Sequence, residues 1–109
     1  MKPSKKDWKL FRMKIADWQE SYMEKLIKEY IMFLNSNLPA SSKFWELEKR
    51  IKQDKKKPGV ILELRKKEMV FDIDRLINDG AITMDDLEEF SDELKVRIKF
   101  LQEGYGYDR

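Results

Sequence analysis

Reactive side chains in this chain of 109 residues are limited to carboxylates, hydroxyls and amines, because the sequence contains neither cysteine nor histidine. Their absence excludes thiol nucleophiles, histidine general bases, zinc sites built on thiolate or imidazole, and disulfides. Carboxylates are dense in the segment LINDGAITMDDLEEF, residues 76–90. This segment has three interpretations: a calcium loop, the turn of a DNA-reading helix-turn-helix, or the turn of an ordinary helical hairpin.

A calcium loop of the EF-hand type does not fit the spacing of this segment. Such a loop needs oxygen ligands at its first and third positions, glycine at its sixth and glutamate at its twelfth. With Gly80 at the sixth position, Arg75 and Ile77 occupy the first and third. These two side chains supply no oxygen ligand, and Asp86 at the twelfth position is shorter than glutamate. We therefore predict no metal site and no cofactor.

Catalysis has little support in the pattern of side chains. Asp85 and Glu89 stand four residues apart, a spacing that would place both carboxylates on one helix face, where they could bind magnesium. No nucleophile or phosphate-binding loop accompanies them, and such pairs are common on exposed helices. The sequence therefore predicts a protein that is not an enzyme.

DNA reading by this segment is opposed by its charge. A recognition helix places its first turns against phosphates and base edges. Here those turns are acidic and would repel the duplex. The acidic side chains are Asp85, Asp86, Glu88, Glu89, Asp92 and Glu93.

A helical hairpin explains the same segment with local rules. Gly80 would cap the first helix in the left-handed conformation. Thr83 and Asp86 would form a capping box at the start of the second helix. That helix is predicted to continue from this cap to Leu101.

The amino-terminal segment has the apolar periodicity of a long amphipathic helix. Its stripe begins with Trp8, Phe11, Ile15, Trp18 and Tyr22. We predict a helix of up to about 28 residues that ends near Asn35, since Pro39 follows. At about 1.5 Å per residue it would be near 40 Å long, which exceeds what so small a domain usually buries. Either the helix breaks, or its aromatic amino-terminal end packs on a second chain.

The second alternative makes Trp8 and Phe11 interface residues, because large aromatic side chains are typical anchors of protein contacts. A homodimer through this helix is accordingly our leading prediction for the quaternary structure. In the other alternative the three tryptophans lie in the core.

A second helix is predicted to begin after Ser41 and Ser42, since either serine can cap its first turn. Its buried stripe is predicted to be Phe44, Leu47 and Ile51. Pro58 and Gly59 then force a turn or a break.

Residues 60–73 have two interpretations. Alternating apolar residues suit a short β-hairpin that turns at Lys66 and Lys67, but the turn has no glycine or asparagine. We favour a helix from about Arg65 to Asn78, because apolar residues there also recur with helical spacing. The predicted fold is all-α, a bundle of about four helices that forms one domain over residues 1–109.

Charge is segregated along the chain, although the net charge is only +2. Residues 43–67 carry ten basic and four acidic side chains, whereas residues 68–94 carry ten acidic side chains and one arginine. The basic run could neutralise phosphates and bind nucleic acid nonspecifically, or it could be a solvated helix face. Its candidate residues are Lys49, Arg50, Lys52, Lys55, Lys56 and Lys57.

The acidic block at residues 72–93 also has several interpretations. It could be a solubilising face, complement a basic partner protein, or imitate the charge of nucleic acid. The last would suit a small phage or mobile-element inhibitor of a nuclease, including an anti-CRISPR protein. The acids that we assign to a protein interface are Asp85, Asp86, Glu88 and Glu89.

Two segments within residues 39–95, SSKFWELEKRIKQDKKKPGV and FDIDRLINDGAITMDDLEEFSDELK, carry a family resemblance. In this half of the chain the sequence resembles a group of small uncharacterised proteins of Gram-positive bacteria and their mobile elements. The resemblance implies a helical middle and a bacterial or phage setting. It brings no activity and no site residue.

No apolar run approaches the roughly 18 residues needed to cross a bilayer, and no secretory signal follows the charged start, so we predict a cytoplasmic protein. Attachment to a membrane surface through KPSKKDWKLFRMK is an alternative. The function predicted from the sequence is a non-enzymatic protein–protein interaction or regulatory module. The alternatives are an inhibitor of a nucleic-acid enzyme and a nucleic-acid binder that uses residues 49–67.

Overall fold

A computed structural model describes residues 3–104, which form an all-α bundle. The elements, in chain order, are α1 (Lys5–Leu34), α2 (Ala40–Asp54), a 3-10 helix (Lys66–Glu68), α3 (Met69–Asn78), a second 3-10 helix (Met84–Leu87) and α4 (Asp92–Gln102). No strand occurs in this part of the chain, so the β-hairpin alternative for residues 60–73 is wrong. Its proposed turn, Lys66 and Lys67, instead begins the 3-10 helix that leads into α3.

Helix α1 runs without a break for 30 residues. The Ser4 side chain caps its start by accepting a hydrogen bond from the Asp7 backbone N–H at 3.0 Å. The helix ends at Leu34, ahead of the predicted stop at Asn35 to Pro39. At about 1.5 Å per residue its length is near 45 Å. The longest dimension of the described chain is 51 Å, so α1 spans nearly the whole molecule.

The hydrophobic core lies around the amino-terminal half of α1. Phe11 and Ile15 pack there with the apolar faces of α3, the second 3-10 helix and α4. Phe11 is 0% exposed, while Trp8 and Trp18 are half-buried against the same core. The expectation that Trp8 and Phe11 lie on an overhanging end is therefore wrong. The short helices α3 and α4 need a third helix to cover their apolar faces, and the aromatic end of α1 supplies it.

A buried carboxylate joins the start of α1 to the start of α4. Asp7 is buried, and its Oδ1 and Oδ2 accept hydrogen bonds from the Ser91 N–H at 2.9 Å and the Ser91 hydroxyl at 2.5 Å. The Ser91 oxygen in turn accepts from the Leu94 N–H and caps α4. The partners are 84 residues apart in sequence, which is why local rules did not predict the contact.

The connection between α3 and α4 contains the predicted caps. Gly80 has a φ of 78°, and the Ala81 N–H donates to the Leu76 carbonyl at 2.8 Å, as in a left-handed helix cap. Thr83 and Asp86 form the capping box, with the Thr83 N–H donating to Asp86 Oδ2 at 2.7 Å. Both predictions are confirmed.

The helix after this cap is shorter than predicted. The capping box begins only a 3-10 helix of four residues, and α4 starts at Asp92. A continuous helix would need the Ser91 N–H to donate to the Leu87 carbonyl, but this N–H donates to Asp7 Oδ1 instead. The predicted continuous helix from Thr83 to Leu101 is therefore wrong.

Helix α2 returns alongside the carboxyl-terminal half of α1, and the two form a helical hairpin that extends away from the core. It begins at Ala40 with Pro39 before it, so Ser41 and Ser42 lie inside the first turn and do not cap it. None of its fifteen residues is buried. The predicted buried stripe is wrong, since Phe44 is 65% exposed and Ile51 is 40% exposed.

The turn at residues 58–59 closes the base of this hairpin. Pro58 and Gly59 are buried, and the Pro58 carbonyl accepts a hydrogen bond from the Gln19 side chain at 2.9 Å. Gly59 lies against the ring of Tyr22 so closely that a Cβ there would stand 2.4 Å from a ring carbon. The chain therefore passes across α1 only because residue 59 has no side chain.

Candidate protein-interaction surface

The exposed apolar side chains of this protein are concentrated on the α1–α2 hairpin. Of the fifteen large apolar side chains that are exposed among the described residues, eight lie between residues 27 and 51. Scattered exposed apolar residues are normal on a protein surface, but a contiguous group marks an interaction site. The hairpin is therefore the first candidate for a functional surface.

One side of the hairpin carries most of this group, and we call it the hairpin face. Its members are Ile27, Ile31 and Leu34 of α1 with Phe44, Leu47 and Ile51 of α2. Spacings of three, four and seven residues keep each set on one side of its helix. Ile27 and Ile51 line the same groove between the two helices, so the two sets form one surface.

The groove of the hairpin face has two connected parts. The part at the hairpin base has a volume of about 210 Å³ and is lined by Ile27, Ile51 and Lys55 among others. The second part, about 400 Å³, runs along α2 past Phe44 and shares Ile51 and Lys55 with the first. Most of the lining side chains are apolar, and the charged ones are Glu48, Lys52, Asp54 and Lys55.

Aromatic side chains stand at the far end of this face. The rings of Phe44 and Trp45 meet edge to face with their centroids 5.1 Å apart. Trp45 is 62% exposed, so the prediction that all three tryptophans lie in the core fails for this one. Exposed aromatic pairs of this kind are the usual anchors of protein contacts.

Polar contacts beneath the groove hold α2 against α1. Asp54 accepts a hydrogen bond from the Tyr30 hydroxyl and pairs with Lys57, whose Nζ lies 3.2 Å from Asp54 Oδ1. Burial raises the pKa of Tyr30, and the hydrogen bond and negative charge of Asp54 raise it further. These groups fix the hairpin and supply no reactive site, because the tyrosine stays protonated as a donor.

Two members of the basic run, Arg50 and Lys57, are engaged by other side chains. Arg50 stacks over the Phe33 ring at 4.1 Å from its centroid and pairs with Glu46 at 3.1 Å. Lys57 is engaged by Asp54. The exposed members of the run are Lys49, Lys52, Lys55 and Lys56.

Two of the four acids assigned to an interface have structural roles. Asp86 belongs to the capping box, and Glu89 pairs with Lys14 of α1 at 3.0 Å. Asp85 and Glu88 are exposed beside them. Of the two aromatic residues assigned to the same interface, Trp8 is half-buried and Phe11 is fully buried in the core, so the six residues do not form one exposed surface.

A second buried carboxylate, Asp72, lies on α3 below the loop at residues 61–65. It is 5% exposed, and its Oδ2 has no hydrogen-bond partner among the residues that the structure describes. Burial raises its pKa to about 6, against the opposing charge of Arg75, whose Nη1 stands 4.0 Å away. Within residues 3–104, no group of three or more acidic side chains is arranged to hold a metal ion.

The hairpin face was not among the sequence predictions, although one signal for it exists. Ile27 and Ile31 widen the apolar stripe of α1 beyond the width that a single packing partner covers. An apolar stripe that is too wide for its neighbours indicates a helix with a second contact. The stripe alone does not show which end of the helix carries the uncovered part.

Comparison with models of known protein families, with curated proteins and with solved structures finds no match to this chain. None of the helices within residues 3–104 has the length and apolar character needed to span a membrane. The surfaces of the molecule are therefore the basis for the function proposed below.

Proposed function

We propose that this protein acts by binding another protein without catalysing a reaction, and that the hairpin face is its contact surface. The observation that carries the proposal is the exposure of Ile27, Phe44 and Ile51 on one side of a protruding hairpin. Burial of apolar surface stabilises association by roughly 25 cal/mol per Å², so a partner that covers this face gains free energy.

The structure of α2 supports the same proposal. This helix has no buried side chain and is held by α1 on one side only. Helices of this length are marginal in water without an apolar contact. A partner on the open side would give α2 the second contact that most helices in globular proteins have.

The groove also indicates the chemistry of the partner. Its lining is mostly apolar over two connected depressions, and it includes charges of both signs, such as Glu48 and Lys52. A groove between two helices is the usual receptor for the apolar face of a third helix. The expected partner therefore presents an amphipathic helix with mixed charges at its border.

Variants of α1 test this proposal with a matched control. Ile27 and Met32 are both exposed on α1, at 54% and 76%, but five residues apart they face different sides of the helix. We expect Ile27→Asp to lose a partner protein that wild type and Met32→Asp both retain. The measurement is capture by the tagged protein from a bacterial lysate at low and high salt. Mass spectrometry identifies the retained proteins, and circular dichroism verifies that each variant is folded.

Two results of the capture experiment would contradict the proposal. One is the same set of proteins retained by wild type, Ile27→Asp and Met32→Asp. The other is retention of nucleic acid at low salt with no protein, which would favour the exposed lysines of α2 as the functional residues.

A further inference from the structure

We infer that the helix bound by the hairpin face is acidic, with its apolar stripe in the groove and a row of carboxylates against the lysines of α2. The inference rests on the proposed function and deepens it, because it names the chemistry of the protein that the same face binds. The observation that carries it is a set of exposed lysines that continues into the apolar groove.

Four exposed lysines lie along the carboxyl-terminal half of α2 and the turn after it, and we call them the lysine row. They are Lys49, Lys52, Lys55 and Lys56. The first three follow one another at intervals of three residues, a spacing that makes them neighbours on the helix surface. Lys52 and Lys55 line the groove of the hairpin face, so the row and the apolar side chains form one surface.

The positive charge of the lysine row is not compensated within the hairpin. None of its four members forms an ion pair within residues 3–104. Of the three acids of α2, Glu46 pairs with Arg50 and Asp54 pairs with Lys57. The third acid, Glu48, is exposed and lines the groove. The groove therefore offers a partner two lysines and one glutamate that have no ion pair of their own.

Repulsion within the lysine row opposes the folding of α2. Like charges three residues apart on a helix destabilise it, and α2 has no buried side chain to offset this effect. Carboxylates placed along the row would remove the repulsion. A partner that carries them would therefore stabilise α2 through its charges as well as through the apolar contact.

An acidic amphipathic helix meets both requirements of this surface. Its apolar stripe fits a groove between two helices. Carboxylates three residues apart beside that stripe repeat about every 4.5 Å along the helix, which is the rise that separates Lys49, Lys52 and Lys55. The flexible side chains of glutamate and lysine accommodate the angle between the two helices.

A nucleic acid meets only one of these requirements. Its phosphates would neutralise the lysine row, but its backbone brings no apolar group to the groove that Ile27 and Ile51 line. Glu48 in the groove would repel a phosphate. A protein helix can instead place a lysine or arginine of its own beside Glu48. The combination of charges and apolar side chains therefore favours a protein partner.

Two synthetic peptides test the sign of the partner's charge. Both are amphipathic helices of about 20 residues with the same leucine stripe, and the positions beside the stripe are glutamate in one and lysine in the other. Fluorescence anisotropy of the labelled peptide measures its Kd for the full chain, and circular dichroism verifies that each peptide is helical. We expect the glutamate peptide to bind wild type at least about tenfold more tightly, and this preference to shrink at high salt. Equal affinity of the two peptides, or no binding of the glutamate peptide, would overturn the inference.

Two variants of equal net charge locate the contact. The row variant carries Lys49→Gln, Lys52→Gln, Lys55→Gln and Lys56→Gln. The control variant carries glutamine in place of four exposed lysines elsewhere, Lys5, Lys6, Lys9 and Lys99. We expect the row variant to bind the glutamate peptide about ten- to a hundredfold more weakly than wild type, and the control variant to bind it within about threefold of wild type. An equal loss of affinity in both variants would overturn the inference.

Other occupants of the hairpin face would give different results. A single-stranded oligonucleotide that binds wild type but not the row variant, when the glutamate peptide binds neither, would identify a nucleic acid. A wild-type chain that sediments at twice 13.2 kDa, with Ile27→Asp at 13.2 kDa, would identify a second copy of this chain. Either result would overturn the acidic helix as the occupant.

Failure of this inference is distinguishable from failure of the proposed function. A protein that wild type and the row variant both capture, and that Ile27→Asp loses, would remove the acidic helix and leave the hairpin face as a binding surface. Proteins retained equally by wild type, Ile27→Asp and Met32→Asp would remove both.

Discussion

At the scale of single residues, two buried aspartates in this protein have opposite energetic roles. Both carboxylate oxygens of Asp7 accept hydrogen bonds from Ser91, and this contact links α1 to α4. Asp72 is equally buried, but one of its oxygens has no partner among the described residues, and its nearest cation is 4.0 Å away. A buried carboxylate without hydrogen bonds opposes folding, because its charged form loses the solvation that water gives it.

Replacement of Asp72 by asparagine should therefore stabilise the fold at neutral pH. Its folded pKa of about 6 lies above the ordinary 3.8, so the folded state binds the proton more tightly than the unfolded state. The charged form destabilises the fold fully above pH 6, and this effect disappears as the pH falls through 6 towards 4. We expect Asp72→Asn to gain about 1–2 kcal/mol of unfolding free energy at neutral pH and much less near pH 4.

Urea unfolding of wild type and Asp72→Asn at both pH values measures this difference. The exposed Asp85→Asn variant is the control, and its unfolding free energy should match wild type within about 0.5 kcal/mol. A gain for Asp72→Asn that is the same at both pH values would show that protonation is not its cause.

At the scale of elements, the local features of the fold were predictable and the long-range ones were not. The cap at Gly80, the capping box at Thr83 and the stop before Pro39 all depend on residues within a few positions of each other. The second 3-10 helix does not continue into α4, because the Ser91 N–H donates to Asp7, which is 84 residues away in sequence. No local pattern contains that information.

The candidate site shows the same limit. The periodicity of α1 and α2 predicted apolar stripes that the structure contains, at Phe11 and Ile15 as well as at Phe44 and Ile51. Whether a stripe is core or surface depends on which elements cover it. Helices α3 and α4 cover the amino-terminal end of α1, so the uncovered surface is at the other end and on α2.

The turn at residues 58–59 gives a test of how the hairpin base is held. Replacement of Gly59 by alanine would place a Cβ 2.4 Å from the buried ring of Tyr22. Either the ring or the turn must move, and we expect a loss of about 1–3 kcal/mol. Thermal unfolding measures it, with the exposed Lys56→Ala in the same turn as the control. Equal melting temperatures for wild type and Gly59→Ala would contradict the contact.

At the scale of the whole molecule, the described chain is 51 × 30 × 23 Å and has two unlike ends. One end contains the hydrophobic core, in which α1, α3 and α4 meet. The other is the hairpin, whose second helix has no buried side chain. Regions with few buried apolar contacts open locally at lower free energy than the core does.

Hydrogen exchange should reveal this gradient of stability. We expect amides of α2 to exchange about ten- to a hundredfold faster than those of α4, because α2 has no buried side chain. Exchange at one uniform rate in α2 and α4 would contradict the gradient.

The contact between Asp7 and Ser91 also sets the order of events during synthesis. The ribosome must add 84 residues after Asp7 before its partner exists, which takes about 4–17 s at 5–20 residues per second. Once the aromatic end of α1 has emerged from the exit tunnel, it lacks the helices that cover it until they too emerge. The nascent chain therefore passes through a stage in which both ends of α1 expose apolar surface, and only the hairpin end keeps it after release.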